Sequence, residues 1–207
     1  MNHYGEVGVN KYREMYDNRF IKGLRLIRRQ GAKEFVYRLL QYQKRLLFRV
    51  LTPLVIVFSN PSYFSYNGEK LPYTLHKHSL AWTNERTIEV PIIRDIIRKS
   101  KTNNILEVGG VLRHYSPMLP GEVLDKFEKG EGIINEDAIT YNPIRKYDLI
   151  VSISTLEHVG FDDDIKDPDG IIKALNNLKI RCLNKNGKIV ITIPIGYNRY
   201  VDAHLCS

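Results

Sequence analysis

The chain has 207 residues, of which 43% are hydrophobic, and a net charge of +8. This length accommodates one well-packed domain with a smaller extension and excludes two full domains. The charge is uneven, because residues 1–60 contain 12 Lys and Arg against 4 Asp and Glu, whereas residues 61–207 contain 19 of each. A basic segment of this kind is typical of contact with an anionic partner such as a membrane surface or nucleic acid.

The cysteines and the N-terminus bear on the compartment. Cys182 and Cys206 lie in no C-x-x-C pattern and share no spacing with histidines that is typical of zinc. No metal site is therefore predicted. The first ten residues are polar and contain Glu6, so they lack the basic and apolar regions of a secretory signal. We predict a protein of the reducing cytoplasm, with peripheral attachment to the inner face of the membrane as an additional hypothesis.

The basic N-terminal segment predicts a helix over residues 11–49, divided at Gly23 and Gly31, because apolar residues recur at three- and four-residue spacings. It leads into residues 46–59, the most apolar stretch of the chain. These 14 residues include Arg49 and Pro53, and a helix needs roughly 20 apolar residues to cross a bilayer. The stretch is therefore too short to span a membrane.

Two interpretations of this extension, residues 1–60, stay open. In the first, Leu54 to Phe58 form a buried strand or helix that packs on the main domain. In the second, residues 11–58 form a basic amphipathic helix in the membrane interface, with Lys and Arg facing the lipid phosphates. Nucleic acid is a weaker hypothesis, because the segment lacks a known reading motif and exposed aromatics between its basic residues.

The rest of the chain predicts an irregular connection over 61–85, with a turn at Asn67-Gly68, and then an α/β domain over 86–207. Continuous apolar strands that alternate with helix indicate a Rossmann-like parallel sheet with helices on both faces, here reduced to about five strands. Only seven residues separate the second and third strands, so at least one crossover helix should be missing. Strands are predicted at 104–108, 122–125, 133–135, 147–154 and 187–194, helices at 84–98 and 168–183, and a turn at 184–187.

Ligand-binding groups of an open parallel sheet lie at the carboxyl ends of its strands. Gly109 and Gly110 follow the first strand, where the absence of Cβ lets the backbone approach a ligand. Asp125 closes the second strand, and one carboxylate can accept both hydrogen bonds of a vicinal diol. His158 follows the fourth strand and is the candidate for acid–base catalysis, although a histidine in this position is more often structural. The aspartate-rich stretch 162–169 lacks the glycine and glutamate of a calcium loop and is interpreted as a solvated helix start.

Residues 86–196 contain five segments in this order: ILEVGG, VLD, NEDA, KYDLIVSISTLEHVG and LNKNGKIVITIP. This is the order of the successive motifs of class I S-adenosylmethionine-dependent methyltransferases, and over residues 86–196 the chain resembles that family. The resemblance implies an enzyme that binds S-adenosylmethionine and methylates a small molecule or glycan. By this resemblance, Glu107 helps to hold the methionine ammonium, Asp125 the ribose, and Asp137 the adenine. The complete set of implied cofactor-binding residues is Glu107, Gly109, Gly110, Asp125, Asp137, Ala138, Ser154, Thr155 and Leu156.

The sequence also departs from the family pattern. Val111 and Arg113 stand where the family usually has its second and third glycines, and a β-branched Val111 is expected to narrow the cofactor pocket. The chain ends just after the fifth strand, where the family adds two more, so it is a reduced or a truncated form. A smaller methyltransferase-like group with the same shortened loop, associated with surface glycan assembly, is similar at Trp82, Asn84, Glu85 and Arg86.

Three further hypotheses follow from these departures. The chain is alternatively a catalytically inactive methyltransferase-like module that acts at a membrane surface through its basic arm. A nicotinamide-dependent dehydrogenase is less favoured, because the G-x-G-x-x-G fingerprint is absent. A reduced sheet leaves an unpaired edge strand that a second copy of the chain would cover, which predicts a homo-oligomer.

Overall fold

The computed structural model describes residues 32–59, 62–115, 121–163 and 165–205. The chain divides into two compact units, with the boundary between Pro53 and Leu54. The part of the predicted N-terminal helix that precedes residue 32 lies outside the described residues.

Helix α1 extends over Ala32–Phe58 and includes Pro53. It ends nine residues beyond the predicted end at residue 49. Thr52 Oγ1 donates a hydrogen bond to the Phe48 carbonyl one turn earlier, at 2.7 Å. The expectation that Leu54 to Phe58 are buried is wrong, because Val57 is 74% exposed and Phe58 is 79% exposed. Within the part of the chain that the structure describes, no helix has the length and apolar character needed to cross a bilayer.

The segment after α1 is more ordered than predicted. Strands β1 (Tyr63–Tyr66) and β2 (Glu69–Pro72) form an antiparallel hairpin. Asn67 and Gly68 connect them with φ values of 49° and 80°, both in the left-handed region that Asn and Gly tolerate. The predicted turn is therefore confirmed, but it closes a hairpin instead of lying in an irregular connection.

The central sheet has five parallel strands, as predicted. In chain order they are β3 (Ile105–Val108), β4 (Glu122–Leu124), β5 (Ile133–Ile134), β6 (Tyr147–Ile153) and β7 (Leu183–Thr192). Their spatial order is β5-β4-β3-β6-β7. No helix lies between β4 and β5, and the described part of the β3–β4 connection holds a single 3-10 turn, Leu112–His114. The chain therefore forms a Rossmann-like α/β sheet with curtailed crossovers.

Both faces of this sheet are covered. Helix α2 (Arg86–Ser100) buries Val90 and Ile93 on one face, where they pack with Ile105 and Val151. Helix α3 (Gly170–Asn177) continues as a π turn, Leu178–Cys182, and packs on the other face with Leu106 and Ile150. Consecutive strand residues point to opposite faces, and burying one such side chain contributes about 2 kcal/mol. This explains the continuous apolar strands.

Strand β7 lies at the edge of the sheet and pairs with β6 alone among the described residues. The residues predicted as a turn, 184–187, form a bulge in this strand, because Leu183 pairs with Tyr147 and Lys188 with Leu149. A short helix, α4 (Arg199–Leu205), follows the strand. The homo-oligomer proposed to cover this edge stays a prediction.

Candidate functional site

A cavity of about 420 Å³ lies at the carboxyl ends of β3, β4 and β6. In this strand order, β4 and β6 flank β3 on opposite sides, so the cavity occupies the topological switch point at which open α/β sheets bind ligands. Its volume falls in the range of small-molecule sites. The predicted residues that line it are Gly109, Asp125, Asp137, Ala138, Thr155 and His158.

Gly109 brings the backbone after β3 directly against Thr155. Its φ of +98° lies in the left-handed region, and its amide donates to the Leu124 carbonyl at 2.9 Å. A Cβ placed on Gly109 would lie only 2.6 Å from Thr155 Cβ and closer still to the other atoms of that side chain. The sequence needs glycine here on both grounds, because the Gly109 backbone and the Thr155 side chain are in close contact where both line the cavity.

Asp125 follows β4 and is held in one orientation. Its Oδ1 accepts hydrogen bonds from the amides of Phe127 and Glu128, at 2.8 and 2.7 Å. Such an Asx turn fixes the carboxylate relative to the backbone. Phe127 lines the same cavity and is 66% exposed, so an aromatic ring and an oriented carboxylate lie side by side.

Lys126 forms ion pairs with two carboxylates that line the cavity. Its Nζ lies 2.8 Å from Asp137 Oδ2 and 3.2 Å from Asp163 Oδ1. Burial acts to raise the pKa of Asp137, but the Lys126 ammonium and the Ile139 amide hold that pKa below its ordinary value. Asp137 is therefore charged at neutral pH.

The cavity lining is strongly acidic. Among the described residues it contains six carboxylates against Lys126 and His158, and those six are Asp125, Glu128, Glu136, Asp137, Asp162 and Asp163. A cleft that is lined by one sign of charge raises the local concentration of ligands of the opposite sign. The site thus favours a cation and disfavours a pyrophosphate.

Four predicted cofactor residues lie outside the lining: Glu107, Gly110, Ser154 and Leu156. Glu107 is buried, and its Oε1 accepts the Leu112 amide at 2.6 Å. Burial raises the pKa of Glu107 to about 7. The carboxyl group holds the loop after β3 in place, and its contact with a cofactor stays a prediction.

The glycine-loop departures leave the cavity open. Val111 is absent from the lining and packs instead with the cluster that α2 buries. The expectation that its side chain narrows the pocket is wrong, because the loop turns at Gly110 and directs Val111 toward the opposite face of the sheet. Leu156 is a core residue, and Ser154 is buried.

Ser154 has a φ of +39°, an uncommon conformation for a residue with a side chain, and α2 holds it there. Arg86 Nη1 donates to the Ile153 carbonyl at 2.6 Å, and its Nη2 donates to the Ser154 carbonyl at 3.2 Å. Ser154 Oγ donates to Glu89 Oε1 at 2.6 Å. The Arg86–Glu89 pair thus fixes the end of β6 immediately before Thr155 enters the cavity.

His158 lies between two carboxyl groups. Its Nδ1 is 2.5 Å from Asp162 Oδ2, and its Nε2 is 3.7 Å from Glu157 Oε1. Glu157 is only 1% exposed, and its Oε2 has no hydrogen-bond partner among the described residues. Burial raises the pKa of Glu157 to about 7. The short contact between Asp162 Oδ2 and His158 Nδ1 orients the imidazole.

Several lining residues were missed from the sequence. Asp162 and Asp163 belong to the stretch interpreted as a solvated helix start, yet α3 begins only at Gly170 and both aspartates reach the cavity. Lys126 and Phe127 directly follow Asp125, so their place after a strand was a usable signal. Among the described residues, no group of three or more His, Cys, Asp or Glu side chains is arranged to hold a metal ion.

The fold is a Rossmann-like α/β domain with a cavity at its switch point. No protein-family model matches the sequence, and no curated protein matches it. Among solved structures, the sugar N-methyltransferase KedS8 from Streptoalloteichus sp ATCC 53650 is similar with a TM-score of 0.40 and 13% identity over 66% of this chain. LepI in complex with SAM gives 0.33 and 17% over 62%. Coclaurine N-methyltransferase, bound to N-methylheliamine and SAH, gives 0.31 and 14% over 80%. The chain spans 60%, 39% and 56% of these structures, respectively.

Proposed function

We propose that the protein is an S-adenosylmethionine-dependent methyltransferase whose cofactor binds in the cavity at the switch point. The observation that carries this proposal is the meeting of Gly109, Asp125, Asp137, Ala138 and Thr155 around one acidic cavity. When bound, the cofactor supplies a methyl group on a positively charged sulfonium. Asp125 would accept hydrogen bonds from the ribose hydroxyls, and Asp137 and Ala138 would contact the adenine.

The charge of the cavity supports this cofactor over a nicotinamide dinucleotide. Six carboxylates attract a sulfonium and an ammonium group but repel a pyrophosphate. A dehydrogenase would also need a glycine-rich turn that presents amides to that pyrophosphate. Here the loop after β3 leads into a 3-10 turn instead of a helix.

Isothermal titration calorimetry of the full chain tests the proposal. We expect S-adenosylmethionine to bind about tenfold more tightly than its neutral product S-adenosylhomocysteine, because only the former carries the sulfonium charge. We expect no measurable binding of NADH. Asp125→Ala should weaken binding of S-adenosylmethionine by about 150-fold or more, the effect of losing two hydrogen bonds to a charged acceptor.

Glu131→Ala is the matched control, since Glu131 is an exposed carboxylate in the same connection, outside the cavity. It should change the affinity by less than about twofold. If folded protein binds NADH, or if Asp125→Ala and Glu131→Ala behave alike, the proposal is wrong. If folded protein binds none of the three compounds, the inactive binding module becomes the better description.

We also propose that α1 attaches the protein to an anionic membrane surface. Twelve of its large apolar side chains are at least 41% exposed, among them Val36, Leu47, Val50 and Phe58. Val36, Leu39, Leu46, Leu47, Val50, Leu54 and Val57 share one face of the helix at three-, four- and seven-residue spacings. The five basic residues of α1 are Lys33, Arg38, Lys44, Arg45 and Arg49, and they lie on the opposite side. This pattern suits a helix that lies in the membrane interface.

Vesicle co-sedimentation tests this attachment. We expect the full chain to bind vesicles that contain phosphatidylglycerol and to bind pure phosphatidylcholine vesicles at least about tenfold more weakly. Val50→Glu, on the apolar face, should abolish binding. Gln41→Glu makes the same charge change on the polar face and should leave most of it. Equal effects of the two substitutions, or tighter binding to RNA than to vesicles, would contradict the proposal.

A further inference from the structure

A second cavity of about 410 Å³ lies on the far side of His158 and Asp162. It is formed where the segment after β7 meets the loop after the 3-10 turn Leu156–His158. The side chains that line it are Phe161, Lys166, Tyr197, Arg199, Tyr200 and Asp202. None of them belongs to the lining of the first cavity.

A layer of three contacting side chains, His158, Asp162 and Tyr197, separates the two cavities. Asp162 Oδ2 accepts a hydrogen bond from the Tyr197 hydroxyl at 2.7 Å and lies 2.5 Å from His158 Nδ1. The Tyr197 ring meets the His158 ring edge-on, with centroids 4.7 Å apart. His158 and Asp162 face the first cavity, whereas Tyr197 faces the second. A ligand in the second cavity thus lies one side chain away from the first.

The layer has a defined hydrogen-bonding polarity. Burial acts to raise the pKa of Asp162, but the hydrogen bonds from Tyr197 and His158 bring that pKa below its ordinary value. Asp162 is therefore an acceptor, and His158 Nδ1 carries the proton that it receives. In the neutral ring this leaves Nε2 as the acceptor. A hydroxyl group near the layer can donate to that nitrogen.

The second cavity combines aromatic rings with positive charge. The Phe161 ring lies 5.7 Å from the Tyr197 ring and 6.3 Å from the Tyr200 ring, both edge-on. Lys166 Nζ lies 5.4 Å from the centre of the Phe161 ring, and the Arg199 guanidinium lies 5.0 Å from that of Tyr200. Because a cation already lies near the Phe161 ring and another near the Tyr200 ring, the site disfavours a positively charged ligand.

Among the described residues, the one carboxylate that lines this cavity has a structural contact. Both oxygens of Asp202 accept the Gly196 amide, at 3.1 and 3.2 Å, which closes the turn before α4. Lys166 and Arg199 outnumber Asp202, so the lining has a net positive charge beside its three aromatic rings. The sign is opposite to that of the first cavity, so the two sites select ligands of different charge.

We infer that the second cavity binds the methyl acceptor, and that this acceptor is a hydroxylated ring compound with an anionic group. The ring would pack on Phe161, Tyr197 and Tyr200, and the anion would lie near Lys166 and Arg199. The hydroxyl would extend past the Tyr197 ring into the first cavity, where His158 lies and where the methyl group would be held. An acidic sugar and a hydroxylated aromatic acid share this chemistry. The acceptor assignment rests on the proposed methyltransferase function.

Calorimetric titration of the full chain, saturated with S-adenosylhomocysteine, tests the inference. The test ligands are glucuronate, glucose 6-phosphate and 4-hydroxybenzoate, with neutral glucose as the reference. We expect at least one of the three anions to bind about tenfold more tightly than glucose. Binding by the first two indicates an acidic sugar, and binding by the third indicates an aromatic acid.

Variants separate this cavity from the first. Arg199→Ala should weaken binding of the anion about tenfold, whereas Arg199→Lys retains the charge and should weaken it less. Neither should change the affinity for S-adenosylmethionine. Arg181→Ala, an exposed arginine outside both cavities, is the control and should change neither affinity.

The outcomes distinguish this inference from the proposed function. If no anion binds to folded protein, or if Arg199→Ala and Arg181→Ala are equivalent, the second cavity is not an acceptor site, whatever the first cavity binds. If an anion binds through Arg199 but S-adenosylmethionine does not bind, the proposed function is wrong, and the acceptor assignment falls with it. The anion site itself would then remain.

Discussion

Replacing Gly109 by alanine is expected to abolish binding of S-adenosylmethionine and to lower the free energy of unfolding by about 3 kcal/mol or more. The added Cβ would overlap the Thr155 side chain, with 2.6 Å to Thr155 Cβ. It would also require alanine to adopt a φ of +98°. Urea unfolding and calorimetric titration measure the two effects separately.

Gly132→Ala is the matched control for Gly109→Ala. Gly132 also has a positive φ, +75°, but a Cβ there meets no atom within 4 Å. It should cost only the backbone strain of about 1 kcal/mol and leave the affinity unchanged. If both variants lose the same stability and both bind the cofactor, then close contact between Gly109 and Thr155 does not shape the site.

Replacing Arg86 by alanine is expected to destabilise the protein by about 3 kcal/mol and to weaken cofactor binding. The substitution leaves the carbonyls of Ile153 and Ser154 without the guanidinium. It also removes the cation that lies 3.5 Å from the buried carboxylate of Glu89. Ser154 would then be free to leave its φ of +39° and to shift Thr155.

Arg98→Ala, in the same helix, controls for loss of an arginine from α2. Arg98 is 70% exposed, and its partner Asp95 keeps Lys99 at 2.7 Å. We expect a loss of less than about 1 kcal/mol, because Arg98 is exposed and the buried Asp95 keeps its contact with Lys99. A double variant, Arg86→Met with Glu89→Gln, should recover part of the loss because it leaves no unpaired buried charge. Equal unfolding midpoints for Arg86→Ala and Arg98→Ala would show that the Arg86 contacts do not support the site.

The sheet was predictable because its strands are apolar on both faces. The runs around Ile105 and Ile150 have no polar alternation, which is typical of a parallel sheet covered on both faces. The missing helix between β4 and β5 was predictable from the seven residues between them. The hairpin at 63–72 was not, since its strands alternate half-exposed residues and contribute only Leu71 to the buried residues.

The site was predictable where strand ends determine it and unpredictable where loops do. Gly109, Asp125 and Thr155 follow strands, so their convergence on one cavity follows from sheet order. Asp162 and Tyr197 come from loops 35 residues apart, and nothing in the local pattern indicates that they share a hydrogen bond. Glu107 is a different case, because its neighbours Leu106 and Val108 pack in one core cluster while its own side chain lies on the opposite face.

The central claim is that the cavity at the end of β3 holds S-adenosylmethionine. A crystal structure of the full chain with S-adenosylhomocysteine at saturating concentration tests it most directly. We predict electron density for the ligand against Gly109, with the ribose hydroxyls on Asp125 and the adenine beside Asp137 and Ala138. Well-ordered crystals in which the ligand occupies another site, or in which the cavity shows only water, would contradict it.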